Sequence, residues 1–293
     1  MNLHPSEDRQ ALANSYSSVL NAWTPTNQNT MIAEIRDTRA GYVTNVDTWW
    51  IKDGSFLRGR NLLLGYTFPS LLTEYVMKNT HIPVGPWRGV NTNQNGIFME
   101  CFMDECATAA GKDPVQFRRA LMQKHPKHLG VLNAAAKKAE WEKPLPAGTF
   151  RGIAQFMGYA SYSACVAEVS VQNNVVKIKR LVFALDAGHI VNPYLTREQI
   201  EGSVAMALGA IFLPEITVEK GRIKQQNLDT YPLLKLSSTP RIETVLVPTY
   251  DFWGGVGEPT ICVVGPAVAN AISAAIGRPV RNFPLSKENL SIA

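Results

Sequence analysis

Apolar residues recur at helical spacing in several stretches of the chain. The clearest lies between Pro266 and Gly277, where Val268, Ile272 and Ile276 form one apolar stripe. A proline suits the first turn of a helix and a glycine suits the position just after its end, so this stretch predicts a helix over residues 266–276. The same pattern predicts helices over residues 97–110, 113–122, 129–141 and 196–209.

Alternation of polar and apolar residues predicts strands between these helices. The strands cover residues 163–171 and 175–185, with a polar turn at Asn173 and Asn174, and residues 241–247. A further hairpin is predicted around residues 219–222. Strands and helices mixed in this way predict an α+β fold for residues 75–293, with mixed β-sheets and the helices packed on one side.

A glycine-rich loop precedes the helix predicted over residues 266–276. Gly254, Gly255 and Gly257 allow the backbone to pass close to a bulky neighbour and to take positive φ angles, and Glu258 follows them. A carboxylate held by a tight loop near the start of a helix can act as a general base beside a cofactor. A solvated glutamate in an ordinary turn is equally consistent with this stretch alone.

Composition narrows the classes of function. The chain has 293 residues, 45% hydrophobic and 18% charged, with a net charge of +5, which is typical of a globular protein. Basic residues are not interleaved with aromatic ones, which argues against a nucleic-acid partner. No apolar run is long enough for a membrane helix, and residues 1–10 lack the pattern of a secretory leader, so a cytoplasmic location is expected. The four cysteines form no C-x-x-C pair, which argues against a zinc site or iron–sulfur cluster held by this chain.

Residues 1–74 differ from the rest and are expected to form an appended β-rich region, loosely docked or partly disordered. They contain Trp23-Thr24-Pro25, Asp53-Gly54-Ser55-Phe56-Leu57-Arg58 and the stretch from Asn61 to Pro69. These motifs resemble the late barrel strands of TonB-dependent outer-membrane receptors. A barrel must close on itself to cross a membrane, and this segment has too few strands to do so. Such a fragment would therefore not transport a substrate. An ordinary hairpin that caps the next domain is the alternative.

Residues 75–293 carry a second resemblance, through motifs that occur in one order. They lie at residues 87–95, 109–114, 186–193, 198–202, 254–259 and 266–272. Together they resemble the C-terminal part of the molybdopterin-binding large subunit of molybdenum hydroxylases, the xanthine dehydrogenase and aldehyde oxidase family, and most closely the isoquinoline 1-oxidoreductase type. The resemblance implies hydroxylation of an N-heterocycle or an aldehyde, with water as the source of oxygen. For that family a periplasmic location is also open.

The resemblance also implies roles for individual residues. Glu258 would be the general base, and residues that hold the molybdenum–molybdopterin cofactor would be Gln199, Gln94, Arg88, Gly255 and Gly257. A surface glutamine is the alternative for Gln199, and Arg88 could bind an oxyanion or phosphate or instead stack on Trp87. No metal ligand is assigned, and His189 is expected to be an ordinary loop histidine.

The family shares its cofactor site between this C-terminal part and a long preceding segment. Here residues 1–74 stand in its place, and the family carries its iron–sulfur clusters on a separate subunit. Two hypotheses follow. The chain is a piece of a molybdenum hydroxylase, active when an iron–sulfur subunit and a polypeptide that supplies the rest of the site join it, or it is a catalytically silent fusion or truncated product.

Overall fold

The computed structural model describes residues 85–213 and 215–293. The chain divides into two units, Met1–Val84 and Gly85–Ala293, and the second of these is the part described. The receptor-like motifs of residues 1–74 lie outside the described residues. The domain boundary predicted at residue 75 lies outside them as well, and both stay predictions.

Gly85–Ala293 contains helices and strands in mixed order. The helices are α1 (Thr92–Ala109), α2 (Pro114–Leu121), α3 (Pro126–Lys138), α4 (Pro193–Phe212) and α5 (Ile261–Ile276). The strands are β1 (Phe150–Gly158), β2 (Ser161–Gln172), β3 (Val175–Asp186), β4 (Val218–Glu219), β5 (Arg222–Ile223), β6 (Arg241–Leu246) and β7 (Ser291–Ile292). This order confirms the α+β fold class.

One five-stranded mixed sheet organises the unit. Strands β1, β2 and β3 form an antiparallel meander, in which Phe150 pairs with Val169 and Ser163 pairs with Leu185. Strand β6 then runs parallel to β3, and β7 pairs in parallel with the beginning of β3. The short strands β4 and β5 form a separate antiparallel ribbon, as the pattern around residues 219–222 predicts.

Helices cover both faces of the sheet. Along β2, Cys165, Ala167 and Val169 face a core that includes α4 and α5. The alternate residues Ala164 and Val166 face a second core formed with α2 and α3. The expectation of helices on one side was therefore wrong. Runs of consecutive apolar residues in β2 and β3 are typical of strands buried on both faces, which is the pattern seen here.

Several helices begin earlier than the apolar spacing predicts. Helix α5 starts at Ile261 rather than at Pro266, which lies inside it, because the residues from Ile261 to Val264 are apolar and continue the buried face. Its end is as predicted, since Gly277 takes a φ of 72° in the left-handed region. The N-cap at Asp113 is also confirmed, because its side chain accepts hydrogen bonds from Val115 N and Gln116 N, each at 2.9 Å.

Strand β1 was not predicted from the sequence. Glycines and Gln155 interrupt its apolar pattern. Gly152 is needed at its position because a Cβ there would overlap the backbone of α5 at Ala267 and Ala271. Strand β1 therefore packs directly on α5, and this contact brings the turn after β1 close to the loop before α5. Of the helices described, none is both long and apolar enough to cross a membrane.

Candidate functional site

The glycine-rich loop before α5 is held against the turn that joins β1 to β2. Gly255 N donates to Tyr159 O at 2.9 Å, and the Ser161 hydroxyl donates to Gly255 O at 2.6 Å. A Cβ on Gly254 would overlap the Ser161 hydroxyl and crowd the carbonyl of Ala160. Close approach is therefore the reason for glycine here. The expected positive φ angles do not occur at Gly254, Gly255 or Gly257.

The turn itself adopts an unfavourable backbone. Tyr159 and Ala160 have φ angles of 54° and 58°. A two-residue hairpin with both residues in this region favours asparagine and glycine, and an ordinary L-residue there costs about 1–2 kcal/mol. The contacts with Gly254 and Gly255 hold the turn in this conformation despite its energetic cost.

Glu258 lies at the end of this loop and is half-buried. Its Oε1 accepts a hydrogen bond from Gly89 N at 3.0 Å. Burial, and then the nearby Glu258 carboxylate, raise the pKa of Tyr159 above its ordinary value, so its hydroxyl stays protonated.

Arg88 connects this loop to helix α4. Its Nε donates to Gly257 O at 2.7 Å, and its Nη2 donates to the carbonyl oxygen and to Oε1 of Gln199 at 2.9 and 3.0 Å. Its Nη1 lies 3.7 Å from Met206 Sδ. Burial lowers the pKa of Arg88, and the Glu258 carboxylate opposes that shift. With most of its donors already engaged by the protein, Arg88 has little left to bind an oxyanion.

The predicted site residues therefore separate into two groups. Arg88, Gln199, Gly257 and Glu258 form one connected cluster, and Gly255 joins it through the hairpin turn. Gln94 is exposed in the first turn of α1, and no hydrogen bond of its side chain is found among the residues that the structure describes. The functional roles assigned to all six stay predictions.

Sequence reasoning missed two contributors to the cluster, the backbone of Gly89 and the hairpin residues Tyr159 and Ser161. Gly89 stands inside the motif at residues 87–95, and its φ of 89° requires glycine. The hairpin went unseen because β1 was not predicted. Alternation in β2 would have placed Ser161 at a strand start, which was the one signal present.

Aromatic side chains stand beside the glycine-rich loop. Trp253, which is 70% exposed, stacks on His189 with ring centroids 4.2 Å apart and an angle of 11°. Tyr250 meets the edge of the same histidine at 5.7 Å. His189 is thus a packed loop residue, and no group of three or more His, Cys, Asp or Glu side chains in residues 85–213 and 215–293 is placed to hold a metal ion.

The loop offers hydrogen-bond donors to a ligand. Within the described part of the chain, the backbone N–H groups of Val256, Gly257 and Glu258 have no hydrogen-bond partner. The exposed amide of Gln199 gives its oxygen to Arg88, which leaves its NH₂ group to donate elsewhere. These donors, with an ionisable carboxylate beside them, fit a polar cofactor edge rich in acceptors.

Comparisons with known proteins match part of this chain to one family model. Residues 103–240 match the family model of the molybdopterin cofactor-binding domain. Gln199 lies inside that range, whereas Arg88 and Glu258 lie outside it. The comparisons gave no support to the receptor resemblance of residues 1–74.

Two curated relatives are similar over most of the chain. One is isoquinoline 1-oxidoreductase subunit beta of Brevundimonas diminuta, with 28% identity over 76% of this chain and 29% of that protein. The other is a membrane-bound aldehyde dehydrogenase (pyrroloquinoline-quinone) of Gluconacetobacter polyoxogenes, with 32% identity over 68% of this chain and 28% of that protein. The chain thus spans less than a third of the length of either relative.

A solved structure, quinoline 2-oxidoreductase from Pseudomonas putida 86, shares the fold. The TM-score is 0.62 at 12% sequence identity, and the similarity covers 69% of this chain and 52% of that one. Residues 103–240 of this chain therefore match the molybdopterin cofactor-binding domain, and the described unit shares its fold with quinoline 2-oxidoreductase.

Proposed function

We propose that this chain supplies part of the catalytic subunit of a molybdenum hydroxylase, an oxidoreductase that hydroxylates an N-heterocycle or an aldehyde with oxygen from water. Glu258 is the general base in this proposal. The chain acts together with an iron–sulfur subunit and a polypeptide that supplies the rest of the cofactor site. The names of its relatives support this class of activity.

The observation that carries the proposal is the position of the Glu258 carboxylate. It is half-buried and fixed by Gly89 N, one residue from the Gly257 carbonyl that Arg88 ties to Gln199. A base must be ionised, oriented and within reach of the proton that it removes. This carboxylate keeps lone pairs beyond its hydrogen bond from Gly89 N, so it can accept a proton while the loop holds its orientation.

The surrounding residues are suited to hold the molybdenum–molybdopterin cofactor. The Gln199 NH₂ group and the N–H groups of Val256 and Gly257 would donate to its polar edge, and Gly255 and Gly257 leave room for its approach. When bound, the cofactor would supply Lewis-acid activation of water and the two-electron oxidation. Arg88 would act indirectly, by holding Gln199 and Gly257 at a fixed separation.

Glu258 would then take the proton from the attacking water. A general base contributes a factor of about 10²–10⁴ to the rate. The backbone N–H of Gly89 stabilises the carboxylate before transfer, and the half-buried position limits competing water. Gln94 stays a proposed cofactor contact that would need the missing part of the site to complete it.

The second candidate function is a catalytically silent fusion or truncated product. The observation in its favour is length, because the chain matches only 28–29% of these two relatives. The first proposal also needs the relatives' remaining residues, which lie outside the matched part of this chain.

Cofactor content separates the two candidates. The chain is purified alone and together with candidate partner subunits, and molybdenum and pterin are measured per chain. The proposal expects about one molybdenum in one such assembly, retained in the control Gln116→Ala on the exposed face of α2 and reduced in Gln199→Ala. No molybdenum in any pairing, or an equal content in both variants, would contradict it.

A further inference from the structure

We propose that Asn93 is a positioning residue for Glu258. Its side-chain amide holds the carbonyl end of the peptide group between Arg88 and Gly89, and the N–H end of that peptide group holds the carboxylate. The motif at residues 87–95 contains Asn93, but the resemblance gives it no role. The inference deepens the proposed function and rests on it only for the statement that Glu258 is the base.

A single peptide group lies between the two side chains. Asn93 Nδ2 donates to Arg88 O at 2.7 Å. Gly89 N, at the other end of the same peptide group, donates to Glu258 Oε1 at 3.0 Å. The carbonyl and the N–H of a trans peptide group point in opposite directions, so the two side chains hold it from opposite sides. A hydrogen bond to the carbonyl also polarises the N–H and strengthens the bond that it donates.

The peptide group needs this restraint because glycine lets it rotate. A peptide plane turns through opposite changes in ψ of the residue before it and φ of the residue after it, and Gly89, with φ of 89°, restricts φ least. The carbonyls of Trp87 and Gly89 also accept backbone hydrogen bonds, at 2.7 and 2.9 Å, but they belong to the peptide groups on either side. Among the described residues, the donor that reaches Arg88 O is Asn93.

Asn93 uses only one end of its amide. Because Arg88 O can only accept, the atom that faces it is the amide nitrogen and not the oxygen. The Asn93 Oδ1 atom is buried and accepts no hydrogen bond from any described residue. Leucine has nearly the same size and would not bury an unpaired oxygen, so the N–H group is what asparagine contributes at this position.

Packing places this amide directly on the glycine. A Cβ on Gly89 would overlap Oδ1 and Nδ2 of Asn93 and also Cγ2 of Ile261. Ile261 is the first residue of α5 and follows Glu258 by three residues. The Asn93 amide, the glycine and the start of α5 are thus in contact, so a change at Asn93 acts on the donor that holds the carboxylate.

Hydrogen exchange of the Gly89 amide, followed by NMR in the chain without cofactor, tests this connection. Glu258→Ala removes the acceptor and gives the exchange rate of an unbound Gly89 N–H. Asn93→Leu should raise the rate by about tenfold or more over the parent, because the peptide group is then free to turn. Asn95→Leu is the same substitution at an exposed position in α1, and it should keep the parent's rate.

A Gly89 exchange rate within about twofold of the parent in a folded Asn93→Leu chain would overturn the proposal. A second measurement covers an Asn93 variant that fails to fold. In Glu258→Ala, the side-chain NH₂ group of Asn93 should exchange at least about twofold faster than in the parent, since the shared peptide group loses its other anchor. The NH₂ group of Asn95 should not change, and an unchanged rate at Asn93 would also overturn the proposal.

Activity separates this inference from the proposed function. In an assembly that binds molybdenum, Asn93→Leu should lower kcat per bound molybdenum by about 3–10-fold, because the base is misplaced. In a Glu258→Gln background the same substitution should cost less than about twofold, since no base is left to position. Losses that add in full would contradict a positioning role. If no assembly binds molybdenum, the proposed function fails, and exchange at Gly89 still decides whether Asn93 acts on the donor to Glu258.

Discussion

Glu100 and Glu258 each accept a hydrogen bond from a backbone N–H, yet they occupy opposite environments. Glu100 is 1% exposed, and its Oε2 accepts from Gln155 N and from Arg118 Nε, both at 2.9 Å. Arg118 is fully buried and also bonds Asp104 at 2.6 Å and the Glu100 carbonyl at 2.9 Å. Every charge in this cluster, which joins α1, α2 and β1, meets an opposite charge.

Glu258 has an arginine nearby that does not neutralise it directly. Arg88 donates to Gly257 O and to Gln199, and the half-buried carboxylate of Glu258 accepts from the neutral Gly89 N–H. A buried charge with a dedicated counter-charge connects elements of structure, whereas a carboxylate held in place but left without an ion pair is available for proton transfer. Under the proposed function, one cluster uses a glutamate for structure and the other uses a glutamate for chemistry.

The largest expected effect falls on the buried cluster. Arg118→Met leaves Glu100 and Asp104 without their counter-charge, so the free energy of unfolding should fall by about 3–5 kcal/mol. Urea denaturation measures it. Arg119→Met, at a partly exposed position one residue along α2, should change it by less than about 1 kcal/mol. Equal losses in the two variants would mean that the buried cluster is not a structural connection.

The same cluster should make stability depend on pH. Burial, opposed by Arg118, raises the pKa of Asp104 to about 6 from its ordinary 3.8. A carboxyl with a raised folded-state pKa binds its proton more tightly when folded, so its contribution is fully present below about pH 4 and is lost as pH rises through 6. The shift corresponds to about 2–3 kcal/mol.

Asp104→Asn should remove this fall in unfolding free energy between pH 4 and pH 7. Glu142→Gln, at a side chain that is 81% exposed, serves as the control and should keep the parent's dependence. Urea denaturation at a series of pH values would compare them. An Asn variant with the parent's slope would show that Asp104 is not the responsible group.

The smallest effect concerns strain beside Glu258, which has no counterpart in the buried cluster. Ala160→Gly relieves a φ of 58° and should raise the free energy of unfolding by about 0.5–1 kcal/mol. Ala205→Gly, at an exposed position in α4, should lower it by about 1 kcal/mol. Thermal melts of the two variants would measure both changes in stability. A lower stability of Ala160→Gly than of the parent would contradict strain at the turn.

Local signals predicted the elements of the fold better than their packing. Asp113 and Gly277 marked helix ends correctly, and the alternation in β2 and β3 gave strands within a few residues of their observed bounds. Strand β1 was missed because its apolar pattern is interrupted by Gly152, and glycine is required there by packing against α5, more than a hundred residues away. Such long-range requirements leave no periodic trace in the sequence.

The candidate site divides in the same way. The order of the motifs predicted Arg88, Gln199 and Glu258 as site residues, and these three residues lie together in the structure. Their connections were not predictable, because Arg88 acts through the Gly257 carbonyl and Glu258 through the Gly89 backbone N–H. The hairpin tip at Tyr159, which bonds Gly255, was not predicted for a related reason: it depends on the unpredicted strand β1.

The most direct test replaces Glu258 by glutamine in the proposed assembly with partner subunits. Glu258→Gln keeps the size of the side chain and its acceptor for Gly89 N, but it removes the base. We expect kcat to fall by about 10²–10⁴-fold with molybdenum content and melting temperature unchanged, and Glu219→Gln in the exposed β4–β5 ribbon to match the parent. Activity of Glu258→Gln within about threefold of the parent would contradict the role of Glu258 as the general base.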